Sequence, residues 1–160
     1  MIKYQKKPIL VPANTPTYIR HKANSKHNEV TVVVVHYAIP LNHVFRQGSQ
    51  ALNPNVMRVA FEATASFQGI EFEFNKNPQA PAFIFAVKAK TERREGDAPN
   101  QELADKIVMA RANLKACVIA RKILVAITKY YRKEIAFMNS ACEVLSNASA
   151  RELAYIQRYR

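Results

Sequence analysis

Residues 100–160 of this chain read NQELADKIVMARANLKACVIARKILVAITKYYRKEIAFMNSACEVLSNASARELAYIQRYR, and this stretch decides the fold. It has neither glycine nor proline, whereas the residues before it hold all three glycines and all eight prolines. A stretch this long without a helix breaker, rich in Ala, Leu, Ile, Lys and Arg, predicts a long helix. We expect Asn100 to be its N-cap and the helix to span residues 101–145. Ser149 and Glu152 form a capping-box pattern, which predicts a short terminal helix over residues 150–158.

The predicted helix carries one cationic band and two apolar stripes. The cationic band consists of Arg111, Lys115, Lys122, Lys129 and Lys133. At about 100° per residue these side chains fall within roughly 40° of the helix surface. The first stripe has a 3-4 repeat and consists of Leu103, Ile107, Ala110, Leu114, Cys117, Arg121, Leu124, Thr128, Tyr131, Ile135, Met138, Cys142 and Leu145. The second stripe consists of Val108, Ala112, Ala116, Ile119, Ile123, Ile127 and Tyr130. A helix that is apolar on two sides has to be covered on two sides. We therefore expect the sheet to cover one stripe and a second helix or another copy of the chain to cover the other, so that the protein forms a homo-oligomer through this helix.

The residues before the helix predict about four strands. The Val-rich residues 29–38 predict a strand that is buried on both faces. Residues 57–67, 70–75 and 82–90 predict an antiparallel meander. Residues 57–67 also fit a helix with Asn53 as its N-cap, but their apolar residues stand at the odd positions, and this alternation favours a strand. Gln68 and Gly69 then form the hairpin turn to the next strand.

These elements predict one α+β domain over residues 29–160, in which a small antiparallel sheet is followed by a long C-terminal helix and a short terminal helix. Residues 1–28 are basic and contain three prolines, which predicts an N-terminal arm or loop.

The charge of the chain indicates a polyanion as partner. Lys and Arg outnumber Asp and Glu by 24 to 12, which gives a net charge of +12 at pH 7. A surplus of this size favours nucleic acid. Besides the cationic band, a second cluster of basic residues lies at the end of the last predicted strand and in the link after it. The candidate nucleic-acid-binding residues are Arg111, Lys115, Lys122, Lys129, Lys133, Lys88, Lys90, Arg93 and Arg94. Because no base-reading motif is present, we expect contacts to the phosphate backbone, independent of sequence.

Catalytic and cofactor chemistry has no support in the sequence. Four histidines lie between residues 21 and 43, but their spacing fits no zinc pattern. Glu71 and Glu73 alternate with apolar residues, which predicts ion pairs with the lysines of the next strand. Cys117 and Cys142 stand at apolar helical positions, which predicts buried, reduced thiols. We expect no enzyme activity, no metal and no cofactor. The apolar runs are too short for a membrane span, so we expect a cytoplasmic protein, or one in the host cytoplasm or virion if it is viral.

Two functions follow from these patterns. The first is a non-enzymatic, self-associating protein that binds nucleic acid through charge. Antiparallel strands over 57–67, 70–75 and 82–90 followed by a long helix are similar, at the level of fold, to single-strand-binding folds such as the Whirly group, and this resemblance implies the same class of ligand. The alternative is a structural or assembly protein, for example a bacteriophage virion or packaging component, that uses the helix as its oligomerisation surface.

Overall fold

Two long antiparallel strands form the centre of the sheet. The computed structural model describes residues 7–22, 29–45, 53–77, 79–93 and 100–158. In chain order the elements are β1 (Val11–Pro12), β2 (Thr17–Lys22), β3 (Glu29–Pro40), α1 (Leu41–Val44), α2 (Pro54–Ala65), β4 (Phe72–Asn75), β5 (Ala82–Arg93) and α3 (Gln101–Arg158). Strands β3 and β5 pair along their whole length, from Glu29 opposite Arg93 to Pro40 opposite Ala82. The α+β class predicted from the sequence is confirmed.

Short strands extend the sheet on both sides of this central pair. β1 and β2 both pair with β3, and β4 pairs with the first residues of β5. All these pairings are antiparallel. β2 lies inside the predicted N-terminal arm, so residues 17–22 are a strand and not a loop. Arg20 of this strand forms an ion pair with Asp105 of α3, in which Arg20 Nη2 donates to Oδ2 at 2.8 Å and to Oδ1 at 3.0 Å.

One face of the sheet packs against the helices and forms the core. The residues at odd positions of β3 and β5 point to this face, among them Val33, Val35, Phe83 and Phe85. The second stripe of α3 lies against them, and its members from Val108 to Ile127 are at most 3% exposed. Ala112 and Ala116 are small enough for the helix to lie close to the sheet. The sheet therefore covers the second stripe, as expected of one of the two stripes.

Residues 57–67 are helical, and their prediction as a strand is wrong. Asn53 caps α2 through its Oδ1, which accepts from Asn55 N at 2.9 Å, and Pro54 occupies the first turn. The helical period places Val56, Ala60 and Thr64 on the core side. The apolar residues at odd positions therefore do not share a face. Gly69 (φ +69°) forms the turn after α2, so the turn joins a helix to β4, and only β4 and β5 remain of the predicted meander.

α3 is one helix of 58 residues, about 87 Å long at 1.5 Å per residue. Asn100 is its N-cap, as predicted, since Asn100 Oδ1 accepts from Leu103 N at 2.9 Å. The predicted break at residues 146–149 and the separate helix over 150–158 are absent, because α3 continues through these residues. Ser and Asn inside an exposed helix cost less than about 0.7 kcal/mol each, which is too little to end it. No helix in the described residues combines the length and the apolar character that crossing a membrane requires.

Candidate functional site

The cationic band lies beside the buried face of α3, where it reaches the edge of the sheet. Arg111 Nη1 donates to the carbonyl oxygen of Lys90 at 2.8 Å. One turn further on, Lys115 Nζ donates to the carbonyl oxygen of Lys88 at 2.9 Å. Two side chains that the sequence predicts as phosphate ligands thus bind backbone groups of β5, although both stay partly exposed.

These two carbonyl groups belong to a part of β5 that β4 does not cover. The β4 pairing ends with Phe72 opposite Phe85, and one more hydrogen bond joins Ala86 N to Glu71 O at 3.0 Å. In antiparallel strands alternate residues direct their backbone groups to the same edge. Lys88 and Lys90 therefore point the same way as Ala86, away from β3. We call residues 87–91 of β5 the open edge, since no described strand pairs with them on this side.

Lys122 attaches the helix to the turn between α2 and β4. Its Nζ donates to Ser66 Oγ at 2.7 Å and lies 4.8 Å from the centre of the Phe67 ring. The second contact is a cation–π arrangement, which stabilises by about 0.5–1 kcal/mol at an exposed site. Lys122 is the third member of the band that a protein group already engages.

A groove of about 600 Å³ lies between the open edge, this turn and α3. The residues that line it are Phe67, Gln68, Gly69, Ile70, Val87, Lys88, Ala89, Lys90, Leu114, Lys115, Val118 and Ile119. Leu114 and Val118 form its helical wall and are 67% and 51% exposed. No acidic residue belongs to this lining, and Lys115 places a cation beside the apolar wall on the helix side.

The other predicted cations lie in different places. Lys129 and Lys133 are exposed on α3, about 10 and 16 Å beyond Lys122 along the axis, with no ion pair among the described residues. Arg93 forms an ion pair with Glu29 at 3.6 Å. Arg94 lies outside the described residues. The structure thus brings together five of the nine candidate residues, namely Lys88, Lys90, Arg111, Lys115 and Lys122.

The end of α3 is a second candidate site. Every residue from 132 to 158, which we call the distal helix, is exposed. Eight large apolar side chains of the distal helix are 51–75% exposed: Ile135, Phe137, Met138, Val144, Leu145, Leu153, Tyr155 and Ile156. At about 100° per residue they occupy one half of the helix circumference. This half continues the face that packs on the sheet earlier in α3, so an apolar face built for contact extends past the sheet.

The first stripe is exposed where α3 lies on the sheet. Leu103, Ile107 and Leu114 are 52%, 38% and 67% exposed, on the side of the helix away from the sheet. The cover expected for this stripe, from a second helix of the same chain, is not found in the described residues. α2 contacts α3 instead through Val56, Ala60 and Thr64, beside the second stripe.

Side chains that could bind a metal ion or act in catalysis do not cluster in the described residues. The described residues contain no group of three His, Cys, Asp or Glu that could hold a metal ion. His36 Nδ1 lies 2.7 Å from the side-chain nitrogen Nδ2 of Asn14. His43 Nδ1 lies 2.6 Å from the carbonyl oxygen of Pro8. Cys117 and Cys142 are exposed, so the prediction of buried thiols is wrong. Both sit on the first stripe, which the sheet does not cover.

One buried tyrosine lies under α3. Tyr37 is 2% exposed, and its hydroxyl donates to Asn113 Oδ1 at 2.6 Å. Burial raises the pKa of Tyr37 above its ordinary value of 10.0, with smaller contributions from Cys117 and Tyr18. This hydroxyl therefore remains protonated at neutral pH and acts as a structural contact.

Sequence reasoning missed the groove and the residues that build it. Phe67 counted as part of a strand, and Val118 belonged to neither stripe. Glu71 and Glu73 were expected to pair with Lys88 and Lys90, but the register places Glu73 opposite Ile84, so that the lysines lie beyond the end of β4. The available signal was the length of the two strands, because pairing from Asn75 opposite Ala82 uses up residues 70–75 before Lys88 is reached.

A comparison of the chain with protein-family profiles, with curated proteins and with solved structures found no match.

Proposed function

We propose that this protein is a non-enzymatic assembly protein that self-associates through its distal helix. The observation that carries the proposal is the length of helix, about 40 Å, that extends beyond the sheet with an exposed apolar face. Large contiguous apolar surfaces of this kind mark interaction sites in water. A helix whose apolar face stays exposed also frays, because most helical stability in proteins comes from the packing of such a face.

The area of this face fits a second copy of the chain. Burying a Val, Leu, Ile, Phe or Met side chain stabilises by about 1.5–3 kcal/mol, which corresponds to roughly 60–120 Å² per side chain. Seven of the eight side chains are of these types and offer roughly 400–800 Å² on each copy. Two copies together bury twice this area, roughly 800–1,700 Å², which reaches the range of about 1,200–2,000 Å² for a stable interface.

The charge of the distal helix also favours pairing with the distal helix of a second copy. It contains Arg132, Lys133, Arg151 and Arg158 against Glu134, Glu143 and Glu152, so its net charge is close to zero although the whole chain carries +12. Two copies of this segment can approach each other without the repulsion that the rest of the chain would cause.

Light scattering or sedimentation over a range of concentrations tests self-association. The variant Phe137→Glu/Leu145→Glu places two charges on the distal face, where Glu keeps the helix intact. We expect the wild type to form an oligomer and this variant to be monomeric. The matched control is Leu103→Glu/Ile107→Glu, which changes the first stripe equally and should leave the oligomer intact. A wild type that is monomeric at every concentration would contradict the proposal.

Binding of nucleic acid is a second candidate function, and Lys129 and Lys133 favour it. They are the members of the cationic band that no described protein group engages. Both lie on α3 between the sheet and most of the exposed apolar side chains of the distal helix, so they stay accessible in the assembly proposed above. Cations on one helix face can meet successive phosphates of a backbone, and such binding weakens with salt.

A salt series with labelled single-stranded and double-stranded oligonucleotides tests this candidate. We expect Lys129→Glu/Lys133→Glu to reduce the slope of log affinity against log salt by about 2, one for each phosphate group that the variant no longer neutralises. The matched control reverses two exposed cations outside the candidate set, Arg58→Glu/Lys76→Glu, with the same change of net charge. An equal loss of affinity in both variants would mean that binding follows net charge alone, and no binding at low salt would exclude the function.

A further inference from the structure

The open edge exposes backbone groups that could pair with another strand. Lys88 and Lys90 direct their backbone away from β3, and β4 stops pairing just before them. Unpaired strand edges are templates for added strands, and proteins commonly protect them. Here Arg111 and Lys115 give the two carbonyl oxygens a donor. The described residues give the N–H groups of Lys88 and Lys90 no corresponding acceptor on that side.

The two sides of the open edge differ in chemistry. Val87 and Ala89 point to the helix side, where the groove has an apolar wall made by Phe67, Leu114 and Val118. Lys88 and Lys90 point to the opposite side of the sheet and are exposed. Because successive side chains of a strand point to opposite faces, a strand added here would need apolar residues at alternate positions and acidic residues between them.

The chain itself contains a strand of this kind on the same edge. In β4 and the residue before it, Phe72 and Phe74 pack on the core side while Glu71 and Glu73 are exposed on the other side. β4 lies on β5 immediately before the open edge and in line with it. The first part of the β5 edge therefore already pairs with a strand in which apolar and acidic residues alternate. In that part Glu73 stands opposite the apolar Ile84, whereas the uncovered part offers Lys88 and Lys90 to acidic residues of an added strand.

We propose that the open edge and the groove bind an extended segment of a partner protein in which apolar and acidic residues alternate. The segment adds a strand to β5 next to β4, its apolar side chains enter the groove, and its carboxylates meet Lys88 and Lys90. Its backbone N–H groups replace Arg111 and Lys115 at the carbonyl oxygens of β5. This site is separate from the distal helix and does not depend on self-association.

Fluorescence anisotropy measures the binding of short peptides with uncharged ends to the full chain and tests the proposal. The salt concentration is about 150 mM, at which exposed charges are screened beyond about 8 Å. The probe is a fluorescein-labelled octapeptide of alternating valine and glutamate. A second octapeptide has the same composition with the valines and glutamates in two blocks, so its charge is equal and its alternation is absent. We expect the alternating peptide to bind at least about tenfold more tightly, since strand addition needs both faces of the peptide.

Variants locate the site and separate it from net charge. We expect Lys88→Glu/Lys90→Glu to weaken binding of the alternating peptide by about tenfold or more, because each reversal replaces attraction by repulsion. Lys129→Glu/Lys133→Glu changes the net charge equally and should leave binding unchanged. Leu114→Ala/Val118→Ala removes exposed groove side chains and should weaken binding without unfolding the protein, which circular dichroism checks.

Three results would overturn the proposal. One is equal affinity for the alternating and the block peptide, which indicates charge alone. Another is an equal loss of affinity in the two charge-reversal variants. The third is no binding of the alternating peptide at millimolar concentration, which would mean that Arg111 and Lys115 serve to close the edge against other strands.

Discussion

Ending the chain after Tyr131 should separate folding from assembly. Tyr131 is the last half-buried residue of α3 and packs edge-on against Phe45, with ring centres 6.3 Å apart. All later residues of the helix are exposed, and the buried side chains of α3 end at Ile127. The truncation therefore removes no side chain from the core.

The expected magnitudes follow from this distribution. The free energy of unfolding of the monomeric domain should change by less than about 1 kcal/mol, the size of a helix-end effect. By comparison, Ile123→Ala removes a side chain that is 0% exposed and should cost about 2–5 kcal/mol. The truncation should also remove roughly a third of the helical signal, because α3 supplies 58 of the described helical residues while α2 and α1 supply 12 and 4.

Denaturant unfolding and light scattering on the same samples measure both effects. The full chain should form an oligomer, and the truncated chain should be a monomer with a similar unfolding midpoint at low protein concentration. Dilution of the full chain should lower its far-UV helical signal, since the distal helix frays when it loses its partner. Ile123→Ala serves as the control for a real loss of core.

Two outcomes would refute this reasoning. A truncated chain less stable by more than about 2 kcal/mol than the monomeric full chain would mean that the distal helix packs back on the domain. A truncated chain that still forms the oligomer would place the interface elsewhere, with the first stripe as the next candidate.

Three substitutions test the local structure by denaturant unfolding. Asn53→Ala removes the cap of α2 and should cost about 1 kcal/mol, whereas Asn55→Ala beside it should change little; equal effects would mean that the cap contributes nothing. Gly69→Ala meets no atom within 4 Å, so it should cost about 1–2 kcal/mol through its positive φ alone, and an unchanged stability would contradict this. Tyr37→Phe should cost about 1 kcal/mol at pH 8 because the hydrogen bond to Asn113 is removed. The raised pKa of Tyr37 stabilises the folded state fully below pH 10.0, the ordinary value, and this contribution is lost as pH rises through the folded pKa. The difference between wild type and Tyr37→Phe should therefore shrink above pH 10, and a constant difference would argue against the raised pKa.

Much of the fold was predictable because its signals are local. The absence of glycine and proline after Asn100 and the capping side chain of that residue define α3, and the Val-rich run defines β3. Residues 57–67 were mispredicted because their odd-numbered apolar residues imitate a strand, although the cap at Asn53 and Pro54 pointed to the helix. The capping-box pattern at Ser149 also misled, since an available cap does not end a helix that has no breaker.

The candidate site was predictable in composition but not in arrangement. The sequence alone identified the lysines and arginines of the band and their common helix face. Their partners depend on the register between β4 and β5 and on the position of α3 across the sheet, and these are contacts between residues far apart in the chain. Arg111 therefore reaches a carbonyl group of β5, whereas Lys129, with similar spacing in the sequence, reaches none among the described residues.

The sequence by itself determined that this chain forms a long amphipathic helix after a small sheet and that the helix has more apolar surface than one sheet can cover. Periodicity and breakers act over a few residues, so one chain segment is enough to read them. Only the tertiary structure decided where the sheet ends along the helix, because that depends on the lengths and pairing of β3 and β5. The end of the sheet leaves the distal helix uncovered, and the early end of β4 leaves the open edge beside the groove.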